Sequence, residues 1–338
     1  MTAVLAAADF VRAPVLAAAN PHEYKEWHHF VIHGRNRRIL VNFSLTSESR
    51  GGRPPELVPR VIVIVHAHRW TGAVERFDPS ATAISPDLGE LSVGACRMTV
   101  LRDGYRITLA LRDISGEIEL TSVSRPFVVN NQPLGAGRMN WLFVPRLRAH
   151  GHLRIGGDEH RIHDELAYHD HNWGRFRWGD DFGWTWATIL PSDTADPWSM
   201  VFLQMTDRRR LRFYSQAVYL WHHDDPAGIF RHAAVTAQSR GTLARPADCT
   251  LPPPMGLVLD GGVSGVPESV EISASRAGDT VQATFHAQSH ARLAYPSETR
   301  LDGSVVLYET GGRARVTGTV AGKHLDISGS AVFEFLHG

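Results

Sequence analysis

Residues 168–190, YHDHNWGRFRWGDDFGWTWATIL, gather two histidines, three acids and four tryptophans into one short run. Two chemistries suit such a run. Histidines two apart on an extended segment share a face, so His169 and His171 could be metal ligands. HAH at 66–68 and HGH at 150–152 repeat the spacing. Yet neither HDH nor HAH is followed at a fitting distance by the Glu and His of a cupin-type metal site, and histidine is abundant elsewhere, as in EWHHF and WHHDD. The second chemistry is acid–base. A carboxyl group walled in by tryptophan loses hydration, so its pKa rises and it stays protonated closer to neutrality. Indole faces stabilise a developing cation, and a histidine hydrogen-bonded to a carboxylate can accept a proton from water. Asp170, His171 and Trp173 supply these residue types within four positions. The plain alternative is that Asp170 caps a turn and His171 satisfies a buried carbonyl. No Gly-rich phosphate loop, G-x-S-x-G elbow, H-E-x-x-H or paired C-x-x-C accompanies the run.

What must position these residues is strand. If AYHDHNW is extended, Tyr168, Asp170 and Asn172 point one way, and His169, His171 and Trp173 the other. Trp184 and Trp186 share one face of GWTWATI. Parity alone leaves open which row lines a cavity, because a bulge would exchange them. A period of two dominates the rest of the chain, as in RILVNFSL, YRITLALRD, GEIELTSV, TVQATFHAQ and LDISGSAVFEF, with turn signals such as RDG, RAGD and LDG between many strands. VIVIVH (61–66) lacks polar alternation and predicts a strand covered on both faces. The pattern is that of an all-β barrel or sandwich.

The 338 residues suffice for two such units. We expect an N-terminal arm over 1–19, read as a short helix or a loose segment, a first barrel over 20–190 and a second over 191–338, the break following at LPSDTADPW. The proline-rich stretch 244–262 is expected to decorate the second unit as loop. Balanced charge, 35 basic against 35 acidic residues, argues against a nucleic-acid partner. Two cysteines fit a reducing compartment, no apolar run is long enough to span a bilayer, and a cytoplasmic location is expected.

YHDHNWG at 168–174, followed by the strand GWTWATI, resembles the motif of the lipocalin-like proteins grouped around carotenoid 1,2-hydratase (hydroxyneurosporene synthase), a superfamily that includes AttH-like proteins and, more distantly, fungal decalin-forming Diels–Alderases. EWHHFVIHGRNRRILVNFSL is similar to the family's opening Trp-bearing hairpin, and VTGTVAGKHLDISGSAVFEF to its last, which ends in an aromatic–Glu step. The resemblance implies two lipocalin-like antiparallel β-barrels packed together, with an apolar cavity and the motif near their junction. It also implies that water adds across an isoprenoid double bond with the help of the motif's His and Trp, here His171 and Trp173, and a downstream acid, for which Asp207 is the nearest candidate. The hydratases follow their motif with W-x-W-G-R-A, where this chain has WTWATI. The Gly-Arg pair is absent, Arg175 and Arg177 are the candidates to replace its charge, and a substrate smaller or more polar than a long polyene is implied.

The expected function is thus an enzyme of isoprenoid or polyketide-type secondary metabolism. It would bind a hydrophobic alkene in a barrel pocket and catalyse acid–base hydration or cyclisation, or a pericyclic cyclisation, without metal or other cofactor. Asp170 or Asp207 would be the acid, His171 the base or orienter, and Trp173, Trp184 and Trp186 the walls and cation stabilisers, with Tyr168 or His169 sufficing as donor for a pericyclic step. Asn172 and Trp178 complete the expected substrate contacts. One alternative is a carrier of a lipophilic ligand without chemistry; another, a metalloenzyme using His66, His68, His169 or His171.

Overall fold

A computed structural model describes residues 5–34, 36–49, 54–258, 265–300 and 303–337. The chain forms two compact units, Met1–Gly34, Ile39–Val65 and Gly72–Phe176 making the first, and Arg35–Arg38, His66–Thr71 and Arg177–Gly338 the second. The division falls after Phe176 rather than at 190, inside the run 168–190. The reason is pairing: the tryptophan strand Gly183–Pro191 hydrogen-bonds to Trp198–Thr206 on one side and to Lys323–His337 on the other.

The first unit is built on a twelve-stranded sheet. At its centre the motif strand Asp158–Arg175 lies between Tyr24–Gly34 and Gly137–Ile155, antiparallel to both. Hairpins extend the sheet on either side, so that it curls around one apolar core. In Arg37–Glu48 the residues Ile39, Val41, Phe43 and Leu45 enter that core, as their alternation predicts. Val61 to Val65 are buried on both faces of their strand, as the unbroken apolar run requires. The two-residue turn Gly156–Gly157 joins the central hairpin, and Gly156 at φ +63 occupies the left-handed region that such turns demand.

The N-terminal arm is not loose. It makes two short helical turns, Leu5–Ala8 and Ala13–Leu16, and Leu5, Val11, Ala13 and Ala17 belong to the core of the first unit. Burying Leu5 and Val11 contributes about 1.5–3 kcal/mol each to docking the arm.

The second unit repeats the plan with a ten-stranded sheet curled around its own core. The tryptophan strand and the last strand, Lys323–His337, run side by side at its centre, and Ser304–Val320 lies beyond the last strand. Ala187, Ile189, Phe333 and Phe335 point into the core, so Trp184, Trp186 and Glu334 occupy the opposite face. In the proline-rich stretch, Thr250–Leu251 pairs in parallel with Asp279–Pro296 and Pro253–Val258 forms a helical turn, while 259–262 lie outside the described residues. No described helix is long and apolar enough to cross a membrane.

Candidate active site

The motif strand pairs without a break with the first strand over 166–175, so its two rows diverge there as parity predicts. His169, His171 and Trp173 face the core of the first unit, where His169 stacks on Phe30 at 4.2 Å and Trp173 joins the apolar cluster. Tyr168, Asp170 and Asn172 occupy the other face and are also buried. Asp170 and His171 therefore do not pair with each other. The histidine has found two carboxylates that lie far away in sequence.

His171 Nδ1 is 2.6 Å from Asp9 Oδ1, and its Nε2 is 2.9 Å from Glu26 Oε1. Both partners can only accept when ionised, so both ring nitrogens must carry protons. Asp9 is contributed by the arm, immediately after its first turn, and Glu26 by the first strand, Tyr24–Gly34. Glu26 also accepts hydrogen bonds from the backbone N–H groups of Arg12 and Ala13 and from the Tyr24 hydroxyl. The Tyr105 hydroxyl donates to Asp9 Oδ2 at 2.7 Å, and His169 Nε2 lies 2.9 Å from the same oxygen. His169 Nδ1 is 3.0 Å from the His29 carbonyl.

These contacts set the charges. Burial alone would lower His171, but the charge of Asp9 and the hydrogen bonds of Asp9 and Glu26 outweigh it and push the imidazole up to about 9. Burial would raise Asp9, yet the His171 charge and the two histidine hydrogen bonds hold it well below the usual carboxylate range. Burial keeps His169 below its ordinary value, partly offset by Asp9. His28 stacks on His171 at a centroid distance of 3.8 Å; burial, reinforced by the His171 charge, holds it neutral. At neutral pH His171 is thus an imidazolium locked between two carboxylates. It has no lone pair with which to act as a base.

On the opposite face Asp170 accepts from the Tyr168 hydroxyl at 3.0 Å and from the Asn172 amide at 2.5 Å. Trp141 and Phe143 stand beside this row, in register with Asn172 and Asp170. Asp170 is therefore a braced, buried acceptor rather than a turn cap. Arg175 donates to the carbonyls of Leu16, Asn20 and His22, so its charge ties down the arm, and Arg177 pairs with Asp180.

In the second unit the Trp184 indole donates to Glu334 Oε2 at 3.1 Å. Trp186 lies directly across from Glu334 on the neighbouring strand, and Glu309 flanks it on the other side. Trp178 stacks on Tyr295 at 5.3 Å and reaches Trp184 at 6.1 Å. Burial pushes Glu334 up to about 7, against the hydrogen bonds of Trp184 and Glu309, which oppose the rise. Two carboxyl groups in hydrogen-bond contact cannot both ionise cheaply, so the pair holds a proton. Asp207, the expected downstream acid, instead accepts the Leu211 N–H at 2.8 Å and closes a tight turn. The carboxyl in a tryptophan-walled setting is Glu334, whose signal in the sequence was the closing aromatic–Glu step.

Among the described residues of the first unit, Asp9, His28 and His171 offer ligand atoms within 4.8 Å of one another. As a metal cradle the set fits poorly. The His28 and His171 rings stack at an interplanar angle of 22°, which sets their lone pairs side by side instead of converging, and His171 is already committed to two carboxylates. His66 contacts Arg38 and Ser289, in the second unit, and His150 accepts the Asp164 N–H on an exposed hairpin.

No family model and no curated protein matches the sequence. Solved structures do match the fold. An AttH-like protein (NE1406) from Nitrosomonas europaea aligns over 94% of this chain and 93% of its own, with TM-score 0.63 and 14% identity. Kievitone hydratase from Nectria haematococca aligns over 100% and 96%, with TM-score 0.59 and 13% identity. CghA, solved with Sch210972, aligns over 94% and 89%, with TM-score 0.60 and 11% identity. The chain thus has the two-barrel, lipocalin-like fold seen in these three structures.

Proposed function

We propose that the protein is an enzyme acting on a hydrophobic small molecule that bears a reactive alkene, and that it catalyses acid-driven hydration or cyclisation. The observation that carries this reading is Glu334, a buried carboxyl raised to about 7 beside the Trp184 indole and the Glu309 carboxyl. A carboxylic acid that keeps its proton near neutrality is what protonation of an alkene needs. In a hydration the Glu334 proton goes to one alkene carbon and a cation forms at the other, facing the indoles of Trp184 and Trp186. Water adds to that carbon and its spare proton returns to the Glu309–Glu334 pair. In a pericyclic cyclisation the same acid only donates a hydrogen bond to the substrate. A structure that shares the fold bears the name of a hydratase, which supports the first version.

In this reading Asp170 braces the Tyr168 hydroxyl and the Asn172 amide within the first unit, His171 and Trp173 hold the motif strand in place, and Asp207 only shapes its turn. The test is Glu334→Gln, which keeps the shape and removes the acid, assayed by mass spectrometry against terpenoid and polyene alkenes. Hydration should disappear, whereas a pericyclic step should slow without stopping. Product formation at the wild-type rate would sink the assignment. The carrier reading instead predicts quenched tryptophan fluorescence on ligand binding and no product from either protein.

A further inference from the structure

A second feature lies in the first unit, apart from the Glu334 acid. A cleft of about 330 Å³ opens beside the N-terminal arm, with Trp173 and Phe10 on its walls. Between these rings sits the Arg12 guanidinium, 3.5 Å above the Phe10 centroid and 4.6 Å from that of Trp173. The rim is apolar but not covered. Val15, Leu16 and Val128 border the cleft and are 66%, 45% and 42% exposed. Exposed large aliphatic side chains gathered at one mouth mark a surface that takes an apolar partner.

Arg12 gives that partner a polar end. Its Nη2 donates to the Ala8 carbonyl, but its Nε is buried with no hydrogen-bond partner, and no carboxylate among the described residues pairs with its guanidinium. Asp9 and Glu26 lie nearby but are already satisfied by His171, His169, Tyr105, Tyr24 and backbone N–H groups. A guanidinium sandwiched between two rings keeps its edge free, and that edge matches a carboxylate in two-point fashion. Asn130, also at the cleft, adds one amide.

We infer that this cleft is a binding site for a small amphipathic carboxylic acid, its carboxylate on Arg12 and its hydrocarbon body against Trp173, Val15, Leu16 and Val128. The site is independent of the alkene chemistry proposed above. Because Trp173 touches His171 at 4.8 Å, an occupant would bear on the Asp9–His171 contact that holds the arm.

Titration calorimetry with decanoate and with decanol tests this on the full chain. Decanoate should bind more tightly than decanol, and Arg12→Met should weaken decanoate by about tenfold or more while leaving decanol little changed. Val128→Asp, a substitution at an exposed rim position, puts a like charge at the mouth and should also weaken decanoate without endangering the fold. Glu334→Gln should bind decanoate as the wild type does. Equal affinity for acid and alcohol, undiminished decanoate binding in Val128→Asp, or loss of binding in Glu334→Gln would each overturn the inference.

Discussion

Asp9 Oδ1 and His171 Nδ1 meet across 2.6 Å in the closed interior of the first unit, joining the N-terminal arm to a strand 162 residues further along the chain. The contact is an ion pair that water does not reach, and Glu26 completes it from the other side of the ring. Removing one member of such a set strands the others without compensation. Asp9→Ala should therefore cost about 3–5 kcal/mol, far more than an average substitution. Urea unfolding checks this. A loss below about 1 kcal/mol would mean that this pair does not hold the arm in the first unit.

The same ring gives stability an alkaline limb. The folded His171 sits at about 9, above its ordinary 6.5, so its contribution is complete below 6.5 and is lost as pH rises through 9. The neutral histidines act in the opposite sense. His29 is depressed to about 3, and His66 and His290 to about 4, chiefly by burial. Their contribution is complete above 6.5 and is lost as pH falls toward those values. Melting temperature against pH should thus trace a dome with its maximum near neutrality, and His171→Gln should flatten its alkaline side. An alkaline side unchanged in that variant would show that His171 is not charged in the folded protein.

The glycine that closes YHDHNWG has a packing reason. A Cβ on Gly174 would sit 2.1 Å from the Arg138 carbonyl oxygen, and 2.8 Å from the Met139 Cα, on the adjacent strand. Backbone cannot yield there without opening the central hairpin. Gly174→Ala should destabilise by about 1–3 kcal/mol, read as a drop in denaturation midpoint at unchanged m-value.

These residues show how far the sequence could be read. The alternation that makes strands is local, so Ile39 to Leu45, the doubly buried 61–65 and the opposed rows of 168–173 were all legible. Partnership across the fold is not local. Nothing near His171 marks Asp9 or Glu26 as its carboxylates; the one trace was a lone acid interrupting an alanine-rich arm. Asp170, adjacent in sequence, was the natural partner to expect, and strand parity turns it to the other face. Asp207 and Glu334 illustrate the same point: both are acids near a strand end, and only the fold tells which one meets a backbone N–H and which one an indole.

Glu334 separates function from stability in a way that a single variant can expose. Its folded value of about 7 lies above the ordinary 4.5, so the unfolded chain releases its proton more readily than the native protein does. Between those values, rising pH favours unfolding, and the native state carries a strained acid. Glu334→Gln removes that penalty and should raise the melting temperature at pH 8 while abolishing hydration. In the wild type the rate should fall as pH rises through about 7, because the acid form is being lost. Trp184→Phe removes a hydrogen bond that steadies the carboxylate, so its alkaline limb should move to higher pH. A rate independent of pH from 5 to 9, or a limb that Trp184→Phe leaves in place, would assign the proton to another group.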